Sequence, residues 1–220
     1  MGSDGEDGRK GSELPDNLTE NSDRAIAPED MQRAHLYALL ARSLAEPMSE
    51  ETLAIVRSLD GQGDDSELGQ ALSALGAVGS RTARSVAEEE YTVLFFGLGA
   101  GGEMHPYASQ YLTGFVYEKP LANLRKDMAA LGIAASGNSY EPEDHIAYLC
   151  EIMHGLITGT FGEPASLETQ AKFFETHMAP WAGQFFTDLE GAESAALYMP
   201  VGTIGRLFLA IEADAFGMAA

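Results

Sequence analysis

The chain has 220 residues, of which 45% are hydrophobic and 9% aromatic, so it can bury a core as one domain or two small lobes. Its 13 Lys and Arg residues against 34 Asp and Glu residues give a formal net charge of −21 at pH 7. That charge argues against binding to nucleic acids and anionic membrane surfaces, and it favours basic partners. The single cysteine, Cys150, excludes a disulfide framework and a cysteine-rich metal cluster.

The first segment of the chain, 1–27, is rich in Gly, Asp, Glu, Ser and Asn and holds few large apolar side chains. We therefore predict that it is a disordered acidic tail. The sequence does not open with the basic and apolar regions of an export signal, and it contains no run of about 18 apolar residues. These observations predict a soluble, cytoplasmic protein.

Beyond the tail, apolar residues recur at steps of three and four, which predicts an all-α fold. Val and Ile are scarce and no stretch alternates with a period of two, so no sheet is expected. The last predicted helix is bent at Pro200. In chain order, helices are predicted over 28–46, 49–59, 68–76, 80–96, 120–131, 142–157, 166–178, 181–189 and 193–216.

Two segments do not fit the helical pattern. Gly97–Ser109 is rich in glycine, and 133–141 is small and polar. We predict a single compact helical domain of two lobes, in which a hinge loop over 133–141 joins an N-terminal lobe (28–132) to a C-terminal lobe (142–220). Exchange of lobes about this hinge could produce a homodimer.

Candidates for catalysis are weak. The glycine-rich stretch after Phe96 follows a helix and lacks the Gly-Lys-Ser/Thr of a phosphate-binding loop. Glu151 and His154 have the spacing of a di-iron helix but lack a second such pair, so a solvated helix face is the simpler interpretation. Cys150 lies on the apolar stripe of a predicted helix, where a thiol usually behaves as a small, inert apolar group. We predict no catalytic residue, no metal ligand and no cofactor site, with a helical metal-dependent enzyme as the alternative.

The sequence Glu141-Pro142-Glu143-Asp144-His145 places three carboxylates and an imidazole within about one turn. Acidic residues and a proline are typical of a helix start, which is one interpretation. Carboxylates held on a rigid helix end can also accept two hydrogen bonds from each arginine guanidinium. The second interpretation is therefore a docking point for arginine.

Seven aromatic residues lie between Tyr91 and Tyr117. Most are expected in the core, but aromatic residues on loops, such as Tyr107 and Tyr111, often line grooves for apolar segments. A groove that is apolar inside and acidic at its rim would fit a peptide with a basic head and a hydrophobic body.

Four motifs occur in the chain in the following order: Glu90–Gly97, with the pattern aromatic-x-x-Leu-Phe-x-Gly; Pro106–Tyr111, with Pro-Tyr-x-Ser-x-Tyr; Glu141–His145, followed by Glu151 and Met153; and Phe174, His177 and Trp181. With these motifs the chain resembles the TorD/DmsD family, cytoplasmic chaperones that assist the maturation of exported molybdoenzymes. The resemblance covers 31–216, nearly all of the predicted folded part.

The resemblance implies a non-catalytic chaperone that binds the twin-arginine signal peptide of a molybdopterin oxidoreductase precursor, or its immature body, until the cofactor is inserted. Asp144 and Glu141 would receive the cationic head, and His145 would hold the hinge or donate to the peptide backbone. A scaffold protein that binds another helix in the same groove is a further alternative. The predicted peptide-binding residues are Tyr91, Leu94, Phe95, Gly97, Pro106, Tyr107, Ser109, Tyr111, Glu141, Pro142, Asp144 and His145.

Overall fold

The computed structural model describes residues 26–59, 64–97, 101–134 and 141–219. These ranges contain ten α-helices, one π-helical turn and no strand, which confirms the predicted all-α fold. Most of the predicted tail and of the predicted hinge loop lies outside the described residues. The division into two lobes, the hinge and the exchanged dimer stay predictions.

The π-helical turn directly extends the fourth of these helices. Their bounds are α1 Pro28–Ala45, α2 Glu50–Arg57, α3 Glu67–Gly79, α4 Arg84–Tyr91, the π-turn Thr92–Phe96, α5 Ala108–Thr113, α6 Lys119–Ala130, α7 Ile146–Thr158, α8 Leu167–His177, α9 Ala182–Glu190 and α10 Tyr198–Ala219.

The core is one continuous cluster of buried apolar side chains. Helix α1 packs along α7, while α10 packs against α9 and α3. The largest side chains that are fully buried are aromatic, among them Trp181, Tyr37 and Tyr198. Helices from both sides of the predicted hinge therefore contribute to the same core.

A buried ion pair ties the first helix to the last. The Glu212 carboxylate is almost fully buried and accepts two hydrogen bonds from the Arg33 guanidinium, at 2.6 and 2.8 Å. The Tyr37 hydroxyl donates to the same carboxylate at 2.9 Å, and the guanidinium lies 5.2 Å from the centre of the Phe216 ring. A buried carboxylate is tolerated because it is paired and hydrogen-bonded in this way.

Three helix starts differ from the prediction by four or more residues, and the first of them is α4, which begins at Arg84 instead of Ser80. Helix α7 begins at Ile146 instead of Pro142, because 142–145 form a turn and His145 is the N-cap, whose Nδ1 accepts from Ala147 N–H at 3.1 Å. Helix α10 begins at Tyr198 instead of Glu193. Pro200 then lies in its first turn, where it has no helical N–H to lose, so the proline does not interrupt a longer helix.

Remote carboxylates explain the late start of α10. Glu90 accepts hydrogen bonds from the backbone N–H groups of Ala196, Leu197 and Tyr198, at 2.7, 3.1 and 2.9 Å. Glu103 accepts from the two N–H groups at 193 and 194 in the same connection. These N–H groups are satisfied without helix formation at 193–197.

Helix α5 is a further difference, because the sequence analysis predicts no separate short helix at 108–113. It brings the Pro106–Tyr111 segment against the start of α7. None of the helices within the described ranges is both long and apolar enough to cross a lipid bilayer.

Candidate functional site

Two of the sequence motifs are paired through their backbones. Ala108 N–H donates to the Asp144 carbonyl at 3.0 Å, and Ile146 N–H donates to the Pro106 carbonyl at 2.8 Å. Between these bonds, Tyr107 and His145 form an isolated antiparallel bridge. The pairing fixes the start of α5 against the start of α7, so Pro106–Tyr111 and Glu141–His145 form one unit.

The inner half of this unit is a buried polar pair. Asp144 is 1% exposed, and its Oδ2 accepts hydrogen bonds from both the backbone N–H (2.8 Å) and the hydroxyl of the buried Ser109. Its Oδ1 is also buried and has no hydrogen-bond partner within the described part of the chain. The carboxylate is therefore shielded from solvent, whereas the sequence interpretation needs it at the surface to receive an arginine.

His145 lies beside this pair and is neutral. Burial lowers its pKa from 6.5 to about 4. Because Nδ1 accepts from Ala147 N–H, the neutral ring carries its proton on Nε2. The ring packs against Tyr107 at 5.3 Å in an edge-to-face arrangement. If His145 donates a hydrogen bond to a peptide backbone, as predicted, the donor is therefore Nε2–H.

The outer half of the unit lies at the surface. The half-buried Tyr107 donates its hydroxyl hydrogen bond to the exposed carboxylate of Glu141. Burial, followed by this hydrogen bond, raises the pKa of Tyr107, with smaller contributions from Tyr91 and Tyr117. The outer half combines the Tyr107 ring with the Glu141 carboxylate, so it is both aromatic and acidic.

A pocket of about 240 Å³ opens beside Glu141. It contains a second carboxylate, Glu151, whose pKa is raised by burial although the proximity of His154 opposes the shift. An acidic pocket with apolar walls can accept a cationic side chain. Its lining residues are Ala45, Glu141, Pro142, His145, Ala147, Tyr148 and Glu151.

The sequence alone favours a solvated helix face for Glu151, whereas the structure places this residue in the pocket beside Glu141. Glu151 is largely exposed, as predicted, although the pocket buries part of it and so raises its pKa. It follows Ala147 by four residues and therefore faces the same side of α7, and this spacing is the feature of the sequence that could have indicated its place in the pocket. His154 is half-buried and its Nδ1 is bonded to the Ala34 carbonyl at 3.0 Å. Within the described residues, no group of three or more His, Cys, Asp or Glu side chains is placed to hold a metal ion.

The aromatic motif lies in the core beside this site. Tyr91 is buried, donates to the Leu44 carbonyl at 3.1 Å and stacks on Phe95 at 4.7 Å. Burial raises the pKa of Tyr91, and the nearby Glu141 adds to the shift. Leu94 is fully buried, whereas Phe96, at the end of the π-turn, is 57% exposed. Of this motif, Phe96 presents the most aromatic surface to a partner, and the predicted site omitted it.

Gly97 has a structural reason to be glycine. Its φ is +68°, and a Cβ there would lie 1.9 Å from the Gly101 carbonyl oxygen. The returning chain is held by Met104 N–H, which donates to the Leu94 carbonyl at 2.7 Å. This geometry explains why residue 97 is glycine, and it does not test the predicted role of Gly97 in peptide binding. Residues 98–100 lie outside the described residues.

Tyr111 faces a different groove from Glu141. Its ring packs on Trp181 at 5.4 Å, and its hydroxyl donates to Asp188 at 2.9 Å. It lines a groove of about 680 Å³ together with Glu103 and His105. The structure thus joins Tyr107 and Glu141 in one site and places Tyr111 in another.

Comparisons with known proteins agree with this architecture. The family model described as "Nitrate reductase delta subunit" matches residues 62–187, more than half of the chain. The chaperone protein TorD of Vibrio parahaemolyticus is 24% identical over 200 residues, covering 82% of this chain and 93% of that protein. The chaperone protein TorD of Vibrio cholerae is 25% identical over 195 residues, covering 81% and 89%.

One solved structure has the same fold. It is a protein of Archaeoglobus fulgidus assigned to redox enzyme maturation, with a TM-score of 0.55 and 22% sequence identity. The match covers 81% of this chain and 93% of that chain. At this identity the similarity shows the shared fold.

Proposed function

Because this chain belongs to the TorD-like family that the nitrate reductase delta subunit model describes, we propose that it is a maturation chaperone for a redox enzyme. The family resemblance predicted from the ordered motifs is confirmed. The matched relatives are named chaperones, which agrees with a protein that binds a client without transforming it.

The finer proposal is that the client is the precursor of a molybdopterin oxidoreductase, bound in the cytoplasm before export through its twin-arginine leader. The observation that supports it is the pairing of Pro106–Tyr111 with Glu141–His145, which places the Tyr107–Glu141 pair at the rim of an acidic pocket. Carboxylates in a pocket of this kind suit a guanidinium, which donates several hydrogen bonds in one plane.

Glu141 and Glu151 would receive the arginines, and Tyr107 would provide aromatic surface beside them. The buried members of the predicted set, Ser109 and Asp144, would hold the two segments together. An exposed ion pair contributes about 1 kcal/mol or less, so most of the affinity has to come from buried apolar surface.

The test is a calorimetric titration of the full chain with a synthetic peptide that carries two adjacent arginines followed by a run of leucine and alanine. The variants Glu141→Gln and Glu151→Gln should each weaken binding about fivefold, because each removes one ion pair at a partly exposed site. Glu175→Gln, an exposed carboxylate on α8, is the matched control and should bind as the unaltered chain does.

Equal affinity for all four proteins would contradict the pocket assignment. Failure of the unaltered chain to bind the peptide would contradict leader binding. Capture of a molybdopterin oxidoreductase precursor with the tagged full chain tests the client itself, and recovery of only mature, cofactor-containing enzyme would argue against a maturation role.

A further inference from the structure

An exposed apolar cluster lies in the last turn of α5 and in the connection from α5 to α6. It consists of Leu112, Phe115, Val116 and Tyr117, and we call it the apolar lip. All four side chains are exposed, Phe115 and Tyr117 to 69% and 66%. Isolated exposed apolar residues are common on proteins, but four within six positions form a patch of the kind that marks an interaction site.

The backbone of the lip includes one residue in a conformation that is unfavourable for its side chain. Tyr117 has a φ of +63°, and among the described residues it is the one non-glycine residue with a positive φ. A tyrosine in this conformation is disfavoured by contact of its Cβ with the backbone, whereas asparagine or glycine is tolerated. Because the Tyr117 ring is mostly exposed, its burial in the folded chain does not offset this cost.

The lip adjoins the Tyr107–Glu141 pair. Helix α5 has six residues and starts directly after Tyr107, so the lip follows the Tyr107–Glu141 pair at a distance of one short helix. On the other side of the lip, Arg125 of α6 donates a hydrogen bond to Glu143 at 2.9 Å. Glu143 belongs to the same turn as Glu141, so the two helices that flank the lip are both bonded to the acidic turn.

We propose that the apolar lip binds the hydrophobic segment that follows the arginines of the client peptide. This inference rests on the proposed function and extends it, because it assigns the apolar part of the peptide to residues that lie outside the predicted site. The net charge of −21 favours an occupant that is basic as well as apolar. The same charge opposes a second copy of this chain.

The test compares two peptides and three variants of the full chain. One peptide has two adjacent arginines followed by leucine and alanine, and the other has the same arginines followed by serine and glycine. Phe115→Gln should weaken binding of the apolar peptide about tenfold and leave the polar peptide unchanged, because it removes one large apolar contact. Ile211→Gln, which alters an exposed apolar residue on α10, is the matched control and should change neither affinity.

Tyr117→Asn separates a binding role from a structural one. Asparagine suits the positive φ, so the thermal midpoint should rise by about 2–4 °C while affinity for the apolar peptide falls. A fall in both would indicate that Tyr117 stabilises the fold, and would overturn the inference for this residue.

If Phe115→Gln binds the apolar peptide as tightly as the unaltered chain does, while Glu141→Gln binds it more weakly, the apolar lip does not bind the hydrophobic segment. The proposed function would still stand in that case. If the unaltered chain binds neither peptide, the lip and leader binding are both overturned.

Discussion

Two hydrogen-bonded pairs join the same two segments of the chain, one buried and one at the surface. In the inner pair, Ser109 donates two hydrogen bonds to a carboxylate oxygen of Asp144 that is closed off from solvent. In the outer pair, Tyr107 donates one to the exposed Glu141. The sequence motifs do not distinguish among these four residues. The structure separates them by their exposure to solvent.

This separation teaches that a short motif can carry two physical roles. The inner pair can contribute to the stability of the folded chain, because its bonds are shielded from water. The outer pair contributes little to stability but remains available to a partner. Substitutions in the inner pair should therefore affect the stability of the fold more than they affect binding. Substitutions in the outer pair should affect binding more than they affect stability.

The largest effect is expected from removing the inner acceptor. Asp144→Ala should lower the free energy of unfolding by about 4 kcal/mol, because the Ser109 N–H and hydroxyl lose their acceptor inside the protein. Chemical denaturation measures this quantity. A loss below about 1 kcal/mol would show that the inner pair is not a stabilising element, and the distinction between the two pairs would fail.

A smaller effect is expected from acid, through His145. Its pKa falls from 6.5 in the unfolded chain to about 4 in the folded one, so the unfolded chain binds the proton more readily. The contribution of His145 is complete above pH 6.5 and decreases as the pH falls towards 4, by up to about 3 kcal/mol. Denaturation curves recorded across this range should show the decrease.

His145→Asn provides the comparison, because asparagine caps a helix but does not titrate. The difference between the two proteins isolates His145 from other groups that titrate in the same direction. One of these is His177, whose pKa is also lowered by burial, against the opposing effect of the hydrogen bond that its Nε2 donates to Asp127. Identical pH dependence in both proteins would contradict the role assigned to His145.

The smallest effect on stability is expected from the outer pair. Glu141→Gln should change the free energy of unfolding by less than about 0.5 kcal/mol, because the carboxylate is exposed and glutamine can still accept from Tyr107. The same denaturation assay detects it. A loss comparable to that of Asp144→Ala would show that both pairs hold the fold, and the surface role of Glu141 would lose its support.

The helices could be predicted from the sequence where their signals are local. The apolar spacing and Pro28 indicated α1, and Ser166 indicated the start of α8, whose N-cap hydroxyl accepts from Thr169 N–H. The start of α10 could not be predicted, because the N–H groups before Tyr198 are satisfied by Glu90, more than a hundred positions earlier. The residues that neighbour Tyr198 in the sequence do not indicate so distant an acceptor.

The site divides in a similar way. The acidic and aromatic composition of Glu141–His145 and Tyr107 indicated a surface for a basic peptide, a hypothesis that awaits its binding test. Burial could not be predicted from composition, so Asp144 and Leu94 were grouped with residues that are exposed. The apolar lip was also missed as a unit, because Phe115 and Tyr117 fit an aromatic core as well as a surface until the backbone places them outside.

The bond between Arg33 and Glu212 has a consequence for synthesis on the ribosome. The two residues lie 179 positions apart, so the first helix emerges long before its ionic partner has been translated. Until then the apolar face of α1 lacks its contact with α10. Completion of the bundle is therefore expected only once α10 has been translated, and translation that stops before α10 should yield a protein prone to aggregation.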